Sequence, residues 1–145
     1  MIKANELRVG NYVNYKPIDD ICDLSLQNRS VFNMIDVDDI HLISTGTMND
    51  RFEPIQLTEH WLIIFGFEKV VYDDDQHGYG TEYHLKVNSD IFLNYDEDFS
   101  VGIFGSKELM KDEIGVIPNW RTIKTVHGLQ NLYFALTGEE LEIKK

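Results

Sequence analysis

The chain is poor in the features that usually reveal a chemistry. Among its 145 residues it holds one cysteine, Cys22, so no internal disulfide can form. A lone thiol reads first as a small, half-buried hydrophobe, and a reactive one would need a histidine partner that sequence does not place. Scarce cysteine is compatible with a reducing compartment. Basic side chains are also few: 13 Lys and Arg stand against 25 Asp and Glu, a formal charge of -12. No basic run exceeds Lys144–Lys145. Such a charge repels DNA, RNA and anionic lipid at long range.

Long apolar runs are absent as well. The longest, Trp61 to Phe65, falls far short of the ~20 residues needed to span a bilayer. The opening MIKANELRVGNYV lacks the apolar run of about 7–15 residues that marks a secretory signal. The expectation is a cytoplasmic protein with no membrane partner. There is no HExxH or HxH, no GxSxG, no Walker A loop and no zinc-type cysteine spacing. Gly78 and Gly80 flank Tyr79 behind an acidic run that would repel phosphate. No cofactor is therefore expected.

What the chain does have is pattern. In Thr125–Gly138 the apolar residues Val126, Leu129, Leu132, Tyr133 and Leu136 recur at steps of three and four, one face of a helix. Thr125 can cap its start, and Gly138 can leave it with positive φ. A second, shorter helix runs from Thr58 to Phe65, with Gly66 as its stop. A helix of about three turns is unstable alone in water, so both must lie on something apolar. The rest reads mostly as strands. Lys69–Tyr72 with Glu82–Val87, and Asp90–Tyr95 with Phe99–Phe104, form two hairpins that together suggest a four-strand antiparallel meander. Trp120–Ile123 reads as an edge strand, Leu141–Ile143 as a last short strand, and Lys107–Lys111 as one helical turn. Near the start, Gly10–Asn11 turns into a strand at Tyr12–Tyr15. Pro17–Asn28 reads as a loop, and Arg29–Asp36 with Ile40–Ser44 reads as a hairpin turning at Asp38–Asp39.

The fold class that follows is α+β: an antiparallel meander packed by two short helices, with a small N-terminal β unit of barrel-like character. The chain is expected to form one domain, 1–145, with lobes at 1–52 (the small β unit) and 53–145 (the sheet plus helices).

Three segments, ELRVGNYV, EPIQLTEHWLIIFGF and VHGLQNLYFALTGEEL, together resemble a family of small uncharacterised proteins of prophages and other mobile elements. The resemblance leaves Pro17–Asp50 and the Asp73–Gly80 tip outside it. It carries no catalytic residues. It implies an accessory protein that modulates a host or phage process.

Candidate chemistry is sparse. Asp73, Asp74, Asp75 and His77 could offer oxygen and imidazole ligands to a divalent ion, but they lack the spacing of an EF-hand loop and read better as a solvated hairpin tip. His60 and His127 fall in the first turns of the two helices, where a neutral imidazole is preferred. His84 could pair with Glu82 or Asp90 as an acid and base, without support from spacing. Most aromatics read as core. Trp120, Tyr95 and Tyr79 are the candidates for an exposed binding face, since rigid aromatic area is what interfaces use. The leading expectation is a non-enzymatic interaction protein with a protein partner, basic in character. The alternatives are a small metal-assisted hydrolase or nucleotide-handling enzyme, and a ligand-sequestering protein. Oligomeric state leaves no mark on the sequence.

Overall fold

The computed structural model describes residues 2–16, 32–47, 50–74, 78–89, 91–96, 100–104 and 121–144. The chain is α+β and forms two compact units, Met1–Gln56 with Thr125–Glu140, and Leu57–Lys124 with Leu141–Lys145.

The first unit holds strands β1 (Tyr12–Tyr15), β2 (Phe32–Met34) and β3 (Phe52–Glu53), the helix α1 (Val37–Ser44), and a helix of residues Val126–Thr137. The strands form an antiparallel sheet in the order β2-β1-β3. Ile2, Leu7, Val13, Ile35, Ile43 and Phe52 make its core, with Ala4, Tyr15 and Ile40 packed against them. Among the described residues β2 and β3 are the edges of this sheet and no closed sheet forms, so the barrel-like character expected of this unit is not confirmed.

The expected hairpin Arg29–Asp36/Ile40–Ser44 is also corrected. Its first arm survives as β2, but the second arm is α1. Asp38 and Asp39, expected as the turn, lie in the first turn of this helix, and Asp39 closes a capping box with Asp36. Asp36 Oδ1 accepts from the Asp39 N–H at 2.9 Å, and Asp39 Oδ2 accepts from the Asp36 N–H at 3.2 Å. Two helix-start donors are satisfied reciprocally, and the acidic side chains suit the positive end of the helix. Ile40 and Ile43, three apart, then face the core.

The helix Val126–Thr137 begins as its sequence indicates. Thr125 Oγ1 accepts from the Gly128 N–H at 3.3 Å, and Gly138 at φ 75° closes the end with its N–H on Phe134 O at 2.7 Å. It belongs to this unit, not to a lobe spanning 53–145. An antiparallel bridge between Gln56 and Thr125 and the Val126 N–H on Ile55 O (3.0 Å) tie its start to the chain after β3. Val126 and Leu129 are buried as expected, but so are the polar His127 and Gln130, while Leu132, Tyr133 and Leu136 are only half-buried. Gln130 explains the shift. Its Oε1 accepts from the Tyr12 N–H at 2.8 Å and its Nε2 donates to Gly10 O at 3.1 Å. Asn131 Nδ2 reaches Glu6 O at 2.8 Å, and Arg8 lies 3.3 Å from the Phe134 ring centre with Nη2 on Glu140 at 2.6 Å. The helix is held to the N-terminal segment as much by directed polar bonds as by its apolar stripe.

In the second unit a short helix, Glu59–Ile64 (α2, which makes Val126–Thr137 α3), leads into five strands: β4 (Glu68–Asp74), β5 (Gly78–Lys86), β6 (Phe92–Asp96), β7 (Ser100–Phe104) and β8 (Arg121–Thr122). They pair in sequence order, all antiparallel. The expected meander is present, and among the described residues β8 is the expected edge strand. Thr58 holds the N-cap position of α2 but makes no side-chain cap bond. Trp61, Leu62, Phe65, Phe67, Tyr83, Leu85, Leu93 and Tyr95 are the buried hydrophobic residues along these elements, and Phe67 meets Tyr95 edge-on at 6.4 Å. Residues 141–144 form no strand, contrary to expectation. Leu141 is buried there, and the Lys144 N–H bonds to Ile64 O at 2.8 Å. The expected loop at Pro17–Asn28 and helical turn at Lys107–Lys111 lie outside the described residues.

Two outcomes follow for the first unit. Gln130→Ala leaves the Tyr12 N–H and Gly10 C=O without their partner. At about 1–3 kcal/mol for each stranded group, the loss should be about 2–6 kcal/mol, read by chemical denaturation. His127 is the second. Burial lowers its pKa below the ordinary 6.5, against a smaller upward pull from Glu6, and its Nδ1 is buried without a partner. The fold therefore holds the neutral ring, while the unfolded chain takes up a proton near 6.5. Stability from the neutral ring is intact above that value and is lost as pH falls through the depressed folded value. His127→Leu should flatten the stability profile between about pH 7 and about pH 5, measured by denaturation at each pH; an unchanged slope would assign the pH dependence to other groups.

Candidate functional site

Side chains along β5 alternate between the faces of the sheet. Tyr83 and Leu85 point to the buried side, opposite Tyr95 and Leu93 of β6. Glu82, His84 and Lys86 therefore share the other face. Their neighbours across the ladders are Val70 and Glu68 on β4, and Asp96, Asn94 and Phe92 on β6.

On this face one carboxylate oxygen gathers three donors. Glu82 Oε2 lies 2.8 Å from His84 Nε2, 2.9 Å from Asn94 Nδ2 and 3.3 Å from the Tyr72 hydroxyl. A carboxylate only accepts, so Nε2 carries the shared proton, and in the neutral ring Nδ1 keeps its lone pair. The Tyr72 phenol is pushed above its ordinary value, first by burial and then by the Glu82 charge. Asn94 is buried, and its Oδ1 has no hydrogen-bond partner.

His84 also borders a cavity of about 350 Å³ with Gly66, Glu68, Leu85, Lys86, Phe92 and Lys144 as its other walls. A histidine fixed by a carboxylate is a workable acid or base. Among the described residues, however, the walls carry no hydroxyl or thiol nucleophile. Among the described residues no group of three or more His, Cys, Asp or Glu is placed to hold a metal ion.

The residues singled out from sequence fare differently. Tyr95 is corrected: it is fully buried, its hydroxyl donates to Ile123 O, and burial pushes its phenol well up. It therefore serves the core and not a binding face. Tyr79 pairs in the β4–β5 ladder with Asp73, which is exposed, and Asp74 pairs with Gly78. Asp75, His77 and Trp120 lie outside the described residues, as does Asp90. His84 takes Glu82 as its partner. The signal was present, since two residues apart on a strand means one face. Asn94 and Tyr72 needed the register, and Lys144 gave no signal at all.

Three large apolar side chains of the first unit are exposed. Val37 is 68% exposed, Met34 56% and Val9 50%. All three flank one junction, where the Gly10 N–H bonds to Ile35 O and the Ile35 N–H to Asn11 O, each at 2.8 Å. The exposed Asp36 and Asp38 stand beside them in the chain.

Compared with protein-family models, with curated proteins and with solved structures, the chain matches none. No helix among the described residues is long and apolar enough to cross a membrane.

Glu82→Gln removes the charge and keeps the shape. The Tyr72 phenol should then titrate closer to its ordinary 10.0, although burial keeps it above that value. Ring NMR signals of Tyr72 followed through alkaline pH read this directly; no change would leave burial as the whole cause.

Proposed function

We propose that this chain is a small acidic interaction protein, an accessory protein of a prophage or mobile element, that acts by binding a host or phage protein and not by turnover. The observation that carries this reading is the exposed apolar group Val9, Met34 and Val37 with Asp36 and Asp38 beside it. Large apolar side chains left in water beside charge are the usual make-up of a contact surface. Its complement is a partner that offers apolar anchors rimmed by Lys or Arg. The charge of -12 adds steering toward such a partner and away from nucleic acid. The sequence resemblance supports the setting, and the single cysteine is compatible with the cytoplasm. Ligand binding is a second reading, favoured by the cavity beside His84.

The test compares the native chain with the triple substitution Val9→Ser, Met34→Ser, Val37→Ser by cross-linking and mass spectrometry in the native host. A partner of this surface should be lost with the triple variant. Its association with the native chain should slow as salt shortens the Debye length to roughly 8 Å at 0.15 M. A partner that binds the variant equally, or tight binding of single- or double-stranded nucleic acid in polarisation assays, would overturn the proposal.

A further inference from the structure

Three charged side chains line the cavity beside His84: Glu68, Lys86 and Lys144. Among the described residues none of the three is ion-paired, although Arg8, Lys16 and Lys69 each hold a carboxylate. Charges of both signs thus face one small space without meeting.

Each is placed by the fold. Glu68 stands opposite His84 in the β4–β5 ladder, and Lys86 opposite Phe92 in the β5–β6 ladder. Lys144 arrives from the tail, which is anchored by buried Leu141 and by its own N–H on Ile64 O. Its side chain crosses Gly66, where an added Cβ would stand 2.1 Å from the Lys144 ammonium. Gly66 also has φ +89°, so a glycine is needed there twice over. The Lys144 ammonium lies 3.5 Å from Gly66 O, and that of Lys86 lies 6.0 Å from the Phe92 ring centre.

The charge pattern selects the ligand class. A simple anion would satisfy the lysines but crowd Glu68 and the nearby Glu82. A simple cation would do the reverse. A neutral apolar molecule would desolvate three charges and pair none of them. A zwitterion satisfies both signs, and an apolar group on it can cover Phe92. At about 350 Å³ the cavity is at the small end of ligand sites, a size suited to one amino acid.

We propose that this cavity binds a small zwitterion with an apolar group, an amino-acid-like molecule. Its carboxylate lies between Lys86 and Lys144, its ammonium at Glu68, and its apolar part on Phe92. His84, held by Glu82, supplies a further polar wall. This site is independent of the protein-binding surface around Val37, and either can fail without the other.

The experiment titrates the full chain by amide-proton NMR with L-phenylalanine and L-leucine. 3-Phenylpropanoate, which lacks the ammonium, and L-phenylalaninamide, which lacks the carboxylate, serve as controls. Saturable shifts should centre on Glu68, His84, Lys86 and Phe92, and phenylalanine should bind about tenfold or more tighter than either control. Glu68→Gln should bring phenylalanine down to the level of phenylpropanoate. The double variant Lys86→Gln, Lys144→Gln should bring it down to the level of the amide. All three side chains belong to exposed residues, so the variants are expected to fold, and their spectra check this. The proposal is overturned if neither amino acid gives a saturable shift at the cavity up to about 20 mM. It is overturned equally if a control binds as tightly as phenylalanine, or if folded charge variants keep the native affinity.

Discussion

The N-terminal segment of the first unit depends on one buried carboxamide. Gln130 offers an acceptor to the Tyr12 N–H and a donor to Gly10 O, the pair of bonds a neighbouring strand would have supplied. Gly10 is in the left-handed region at φ 93° and its own N–H is taken by Ile35 O. Asn11, fully buried, accepts from the Arg8 N–H through its side chain. The backbone polar groups of the turn are therefore satisfied from three directions, which is the condition for burying it, while Asn11 Nδ2 is buried without a partner. With the turn fixed, β1 leaves in the register that pairs Val13 with Asn33 and sends Val13 into the core. An apolar residue at position 130 would pack as well and leave this entry to β1 unspecified.

The second unit rests on a simpler constraint, the two-residue pleat. Because Tyr83 and Leu85 must be buried, Glu82, His84 and Lys86 are obliged to share the opposite face. The β6 partners obey the same rule, so Leu93 and Tyr95 go inward and Phe92 and Asn94 go outward. Packing thus assembles the polar group around Glu82 without any separate device. The donors then converge on a single oxygen because His84 is two residues along the strand, Asn94 is directly across from His84, and Tyr72 is on the diagonal.

How far this was legible from sequence divides along the same line. The helix Val126–Thr137, its Thr125 cap and its Gly138 stop follow from local signals, and so do the meander's strands, whose hydrophobic and turn residues are contiguous. Asp38 and Asp39 misled because acidic residues serve turns and the first turn of a helix alike, and only Ile40 and Ile43 at helical spacing separate the two. Tyr95 misled because an aromatic on a strand is equally at home inward or outward until the register is known. The polar group was half visible, in that Glu82 and His84 sit at strand spacing. Asn94, Tyr72 and Glu68 join them only through cross-strand pairing, and Lys144 only through a tail that crosses Gly66. Contacts of long sequence separation leave no periodic trace, so a site built from them cannot be read from one strand at a time.

The two candidate surfaces also show why net charge describes a protein's approach and not its sites. At -12 the chain steers basic molecules from a distance and holds anions off. Within a few ångströms the sum over the whole chain loses its meaning, because screening and desolvation leave only the nearest groups to act. Around Val37 those neighbours are Asp36 and Asp38, which agree with the global sign, and the surface inherits the global preference. At the cavity they are two lysines, a glutamate and a histidine held by a second carboxylate, close to balance and spatially separated. A balanced, separated set gains little from a ligand of one sign and most from one carrying both. The two proposals, a surface for basic partners and a cavity for zwitterions, are therefore compatible in one strongly acidic chain.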